Sequence, residues 1–231
     1  MGSHKTADEV RAEQLVVLGV DLGIFYGALQ SEVTWCHAKW QQYRTLFGHS
    51  EGRVNLLNES AGFFFKIVQD VLWEDVLLHL ARLTDPPKSA GKPNLTIHRL
   101  PDLISDAVLA EDVRRLAESA SLKCAFAREW RHRHLAHRDL DLALNRVHAL
   151  PLPSVSRQAV TEATAAIASV LNRVESHYFD SQVAFEHFVA HDDANALVYY
   201  LARAVRSEQR QRERFAKGKP TPEDLEPEAE T

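Results

Sequence analysis

Apolar residues recur along most of the chain at the three-to-four-residue spacing of a helix, and no stretch shows the sustained alternation of a strand. Such a pattern can bury its apolar surface only by packing helix on helix. Nine Gly and nine Pro in 231 residues are too few to serve the many turns of a β-sandwich or barrel. The expectation is an all-α, up-and-down bundle of four to five main helices. With 45% apolar and 26% charged residues the chain can fill a sizeable core, and disorder of the whole is excluded.

The periodicity predicts a first helix from about Asp8 to Phe47. Within it Gly19, Gly23 and Gly27 share one face, which would let another helix approach closely. After Gly48-His49-Ser50-Glu51-Gly52 a second helix is expected from about Arg53 to Leu83. Phe64, Ile67, Val68, Val71, Leu72, Leu78 and Leu80 mark it as a central core helix, ended by Asp85-Pro86-Pro87. A loop over 86–96 leads to a short helix capped by Thr96 and interrupted by Pro101. Third and fourth helices are expected over about Ser105–Leu150 and Ser154–Tyr178. A last one starts near Asp192-Asp193 and ends near Phe215. Residues 5–217 read as one all-α domain and 218–231 as an acidic, disordered tail. Trp35, Trp40, Tyr43, Phe63, Phe64, Phe65 and Trp73 are expected in the core.

The net charge of −5 is uneven. One Lys against five acids falls in 219–231, leaving the body near neutral, with no global basic field. Met1–Gln14 is polar and lacks the apolar centre of a secretion signal, so a cytoplasmic chain with Cys36 and Cys124 reduced is expected. Leu15–Leu29 is too short for a membrane span and contains Asp21, so no membrane partner is expected.

Chemistry concentrates in Arg128-Glu129-Trp130-Arg131-His132-Arg133-His134-Leu135-Ala136-His137-Arg138, where four Arg and three His lie within eleven residues. One reading is a solvated basic face balanced by Glu129, Asp139 and Asp141. A metal reading, on His132, His134 and His137, meets Ala136 where a metallohydrolase pattern needs Asp, and the arginines oppose a cation. No metal or cofactor is therefore expected. Acid–base and phosphate chemistry fits better. Imidazole titrates near neutral pH, and guanidinium forks match phosphate oxygens. Together they can deprotonate a ribose 2′-hydroxyl and stabilise a phosphorane.

Arg131 to His137 also resembles the Arg-(four to six residues)-His motif of the HEPN superfamily. The neighbourhood is similar to its abortive-infection, AbiU-like branch, whose pattern is close to Arg-Asp-Lys-His-Ile-Ala-His. Leu80–Pro86, Asn94–Ile97 and Trp40–Phe47 resemble the same branch, so the similarity spans roughly residues 10–180. It implies a HEPN-like all-α bundle that dimerises, and a metal-independent endoribonuclease of a phage-defence or toxin system, with Arg and His lining a cleft between protomers. Carried over, Arg131 and His137 would be catalytic, and Arg133, His134 and Arg138 would bind substrate phosphate. The alternative is a non-catalytic HEPN-like module that binds nucleic acid, a nucleotide or a protein. Expected partners are RNA or a nucleotide, a second copy of the chain and an antitoxin protein. His132 stands where the family often has Asn or Asp. Asp139 stands where relatives silenced by a nucleotidyltransferase carry Tyr, so AMP transfer is not expected there.

Six residues separate Arg131 and His137, about 120° around a straight helix and about 9 Å along it, so a second copy across a two-fold axis would bring complementary groups together. His79, Arg82 and Asp85, at the end of the second helix, are expected either to pack near this segment and orient it or to be simple structural contacts. The Arg-rich last helix, Arg203 to Arg214, is read as a solvated face or an RNA contact.

Overall fold

The structure, a computed structural model, describes residues 6–136, 139–144, 146–147, 149–187 and 192–225. It is all-α apart from one small hairpin. In chain order the elements are α1 (Ala7–Leu18), α2 (Val20–Tyr43), a π-helical turn (Arg44–Gly48) and α3 (Glu51–Leu83). The strands β1 (Lys88–Ser89) and β2 (Lys92–Pro93) follow, then a 3-10 turn (Ile97–Arg99), α4 (Leu100–Leu103), α5 (Ala107–Lys123) and α6 (Ala125–Trp130). A second π-helical turn (Arg131–Leu135), α7 (Leu140–Ala143), α8 (Arg157–Phe179), α9 (Ala194–Ala216) and a 3-10 turn (Pro222–Leu225) complete the order. Two compact units result, one from Met1–Gln41 with Val71–Phe188, the other from Gln42–Asp70 with Val189–Thr231.

The first unit is built on four helical stretches. The buried residues Leu22, Tyr26, Leu29, Val33, Cys36 and Trp40 repeat every three to four positions and so form one stripe of α2. The rest of the core comes from Val76, Leu77 and Leu80 of α3, Leu109, Val113 and Ala117 of α5, and Ile167, Val170 and Leu171 of α8. Three polar side chains inside are paired across helices. The Tyr26 hydroxyl donates to Glu175 (2.6 Å), Trp40 Nε1 to Thr161 (3.1 Å), and His37 Nε2 meets the Thr164 carbonyl (3.2 Å). Such pairing removes the cost of burying an orphaned donor or acceptor.

The expected first helix is broken. Gly19 takes φ +79°, a conformation that L side chains rarely adopt, and turns α1 back along α2. The partner that uses the glycine face is thus α1 itself. A Cβ on Gly23 would lie 2.9 Å from the Gln14 carbonyl oxygen, and the Gln14 side chain donates to Gln30 (2.7 Å). The expected third helix is broken too, at Cys124 and again after Trp130. Ser156 caps α8 through Ala159 N, close to the expected start.

The loop after α3 is tied down. Lys88 and Ser89 pair with Pro93 and Lys92, and Asn94 Nδ2 donates to the Pro86 carbonyl (2.8 Å). Thr96 Oγ1 donates to the Asp85 carbonyl (2.7 Å), lies 3.0 Å from the Leu83 carbonyl and accepts from His98 N, so one hydroxyl caps the 3-10 turn and fixes Asp85.

In the second unit Arg53 donates to the Thr45 carbonyl (2.6 Å) and to Asn195 (3.2 Å), joining the first π turn to α9. Ser60-Ala61-Gly62 kinks α3, with Ala61 at φ −161°, ψ 62° and the Ser60 hydroxyl bonded back to Leu56. Two aromatics of this stretch depart from the core reading. Phe63 is 82% and Phe64 59% exposed, as is Trp35 (58%) in the first unit, whereas Phe65 is buried. The kink turns the first two outward. Ile67 and Val71 are exposed as well, so α3 is a core helix only in part. Along α9 the Arg214 guanidinium grips Asp224, holding residues 222–225 against the helix. No helix among the described residues is long and apolar enough to cross a membrane.

Candidate functional site around the Arg131 turn

The Arg/His segment begins where α6 loosens into the second π turn. Ala136 N donates to the Arg131 carbonyl (2.8 Å), closing a ring over five residues instead of four. Turns of this type mark functional sites more often than ordinary helix does. The turn is held at both flanks. Arg128 donates to Thr84 Oγ1 (3.1 Å) and Ser121 Oγ (3.2 Å), and Trp130 Nε1 donates to the Pro153 carbonyl (3.0 Å).

Arg131, with its side chain 29% exposed, donates to Asp85 Oδ2, whose side chain is 14% exposed. The other oxygen, Asp85 Oδ1, is buried with no hydrogen-bond partner among the described residues. Arg131 is therefore oriented by a carboxylate that Thr96 fixes through the backbone, and it keeps an open edge.

Arg133 turns elsewhere. It donates to the carbonyls of Leu150 and Pro151 and approaches Glu129 (3.4 Å) and Asp139 (3.6 Å), with its side chain only 16% exposed. The depression around it, about 340 Å³, is lined by Glu129, Arg133, Asp139, Asp141, Ala149 and Leu150. Three carboxylates there oppose an incoming anion. His134 packs edge-on against Trp130, and its Nε2 lies 3.5 Å from Glu74 of α3. His137 and Arg138 lie outside the described residues.

Of the three residues expected to orient the segment, Asp85 does so. His79 and Arg82 face a different cluster. His79 Nε2 is 3.1 Å from Lys39 Nζ, which donates to Asp75 (2.7 Å), while Arg82 reaches Glu32 (3.4 Å). Burial, reinforced by Lys39, lowers the His79 pKa from the ordinary 6.5. Burial and then Arg128 lower that of His98. Cys36 and Cys124 are free and buried, and burial raises the Cys124 thiol to about 12, so it is no nucleophile near neutral pH. Among the described residues no three His, Cys, Asp or Glu side chains are grouped to hold a metal ion. Glu74 was not legible from the sequence, since an acid on a half-exposed helix face carries no distinguishing pattern.

An all-α bundle carrying an Arg/His turn braced by the end of a core helix is the setting in which the comparisons fall. The family model of HEPN type described as AbiU2 matches residues 20–197, well over half of the chain, and the chain belongs to that family. It thus carries a HEPN-like module of the abortive-infection kind. No curated protein and no solved structure matches.

Proposed function

We propose that the protein is a metal-independent endoribonuclease of a phage-defence or toxin system, acting on cytoplasmic RNA through Arg131 and His137 in a cleft between two copies of the chain. The observation that carries this reading is the pairing of Arg131 with Asp85, which presets a half-exposed guanidinium at the edge of a turn that also bears His132 and His134. In the reaction His137 takes the proton of a ribose 2′-hydroxyl, and the 2′-oxygen attacks the adjacent phosphorus. Arg131 stabilises the charge gathering on the phosphoryl oxygens. The P–O5′ bond breaks, the 5′-oxygen takes a proton from water, and the other fragment ends in a 2′,3′-cyclic phosphate.

The test is incubation of purified protein with RNA in the presence of a chelator. The reading requires fragments with 2′,3′-cyclic phosphate ends and a loss of about 10²–10⁴-fold in rate for His137→Ala. RNA left uncut, or cut equally by that variant, overturns it.

A second reading, a non-catalytic module that binds nucleic acid, a nucleotide or a protein such as an antitoxin, is favoured by one specific observation. Arg133, the residue nearest Arg131 in kind, is spent on two carbonyls and two carboxylates and is not free for a phosphate. It requires salt-sensitive binding without turnover.

A further inference from the structure

We propose that the outer face of α9 is a separate contact for single-stranded RNA, independent of the Arg131 turn. The inference rests on RNA being the ligand in the reading above, but not on cleavage. Tyr199, Arg203, Arg206 and Arg210 follow one another at four, three and four residues, so they stand in one row along the helix. All four are exposed, and the buried residues of the helix, Ala194 and Val205, lie away from that row.

The other two arginines of α9 are neutralised. Arg212 meets Glu208 (2.5 Å), and Arg214 is gripped by Asp224. Glu213, at the far end of the row, is met by Lys217 (3.6 Å). Arg203, Arg206 and Arg210 have no carboxylate partner among the described residues. They span about 10 Å of helix. Three like charges in a row repel one another, which intramolecular stability does not explain.

The aromatic groups decide the kind of anion. Arg203 sits over the Tyr199 ring at 5.7 Å from its centroid, and Tyr200 stands edge-on to Tyr199 at 5.6 Å, more than half exposed. Guanidinium forks for phosphates beside open aromatic faces for bases are the combination that holds single-stranded nucleic acid. A helix lying on an anionic membrane would instead bury its apolar face in lipid. Here Ala194 and Val205 of that face are already buried within the protein.

The experiment measures binding of full-length protein to a mixed-sequence 2′-O-methyl RNA, which has no free 2′-hydroxyl to attack, over a salt series. The expected result is that Arg203→Glu/Arg206→Glu/Arg210→Glu binds at least about tenfold more weakly, and that log K falls less steeply with log salt by about 2, the loss of three phosphate contacts on a single strand. The Gln triple variant falls between. A control with the same charge change in the other unit, Lys88→Glu/Lys92→Glu/Lys123→Glu, binds like the wild type. Circular dichroism checks that each variant keeps its helices. Unchanged affinity in the α9 variants, equal weakening in the control, or no binding by the wild type overturns the proposal. So does α9-dependent binding to phosphatidylserine vesicles without RNA binding. Binding that depends on α9 in a protein that never cuts RNA upholds this proposal and removes the catalytic one.

Discussion

Arg131 and Asp85 are joined across 46 positions of sequence, tying the turn that follows α6 to the loop that follows α3. Neither element positions itself. The π turn lacks a buried residue, and Asp85 lies beyond the last helical residue of α3. Removing either partner leaves the other a half-buried charge, at a cost of about 1–3 kcal/mol. Asp85→Ala and Arg131→Ala should each destabilise by about that amount in urea unfolding. The double variant should fall short of their sum by about 0.5–3 kcal/mol. Strict additivity would show that the pair does not hold the turn.

The fold-back of α1 gives a graded series of glycine substitutions. At Gly23 an added Cβ meets backbone, 2.9 Å from the Gln14 carbonyl oxygen and 3.1 Å from Leu15 Cα. Gly23→Ala must push α1 away and should cost about 1–3 kcal/mol. At Gly27 the obstacle is the tip of the Gln14 side chain, which can swing aside, so Gly27→Ala should cost less. Gly52 has nothing within 4 Å, and Gly52→Ala should be neutral or stabilising by up to about 1 kcal/mol. Thermal melts of the three variants should rank in that order.

Two buried histidines, His37 and His79, and the half-buried His98 set a pH dependence. His37, His79 and His98 all have pKa values lowered from 6.5, chiefly by burial. The unfolded chain therefore binds more protons than the native one once pH drops toward 6.5, and stability must fall with acidification below that value. Between pH 7.5 and 5.5 the unfolding midpoint should decline. His98→Gln should flatten the decline, and a midpoint that rises on acidification would contradict the buried neutral state.

The links from Arg133 to the carbonyls of Leu150 and Pro151 predict a change in mobility. Arg133→Ala should raise amide exchange at Ala149, Leu150 and Leu152, because the strap from the turn is gone. Arg133→Lys should not restore protection. One ammonium cannot span two carbonyls and two carboxylates as a planar fork does. Wild-type exchange in the Lys variant would assign the strap to charge alone.

Helices with strong punctuation were legible. Ser154 after Pro153 lies two residues before the Ser156 cap of α8, and Asp192-Asp193 includes the Asp193 cap of α9. The breaks at Cys124 and after Trp130 were not, since Lys123-Cys124-Ala125 contains no Gly or Pro and the widening at Arg131 arises from tertiary ties. The face of Gly19, Gly23 and Gly27 was readable as a place of close approach. That Gly19 itself reverses the chain depends on its φ, which spacing does not encode. Phe63 and Phe64 read as core because apolar content reports no direction, and the kink at Ala61 turns them out. In the candidate site the cationic cluster was visible, whereas its sorting was not. Arg131 goes to Asp85, Arg133 to the 150–151 backbone and His134 to Glu74, and only packing decides among those carboxylates and carbonyls.

The five-residue ring at Arg131–Leu135 is slack in the chain. It stores one residue beyond what an ordinary helical turn needs. Deleting a single position there, such as His132, lets the ring close by one fewer residue while the anchors on either side stay put. A one-residue deletion that would shear a core helix out of register is thus absorbed locally, and the interval from the arginine to whatever follows can contract without disturbing the bundle.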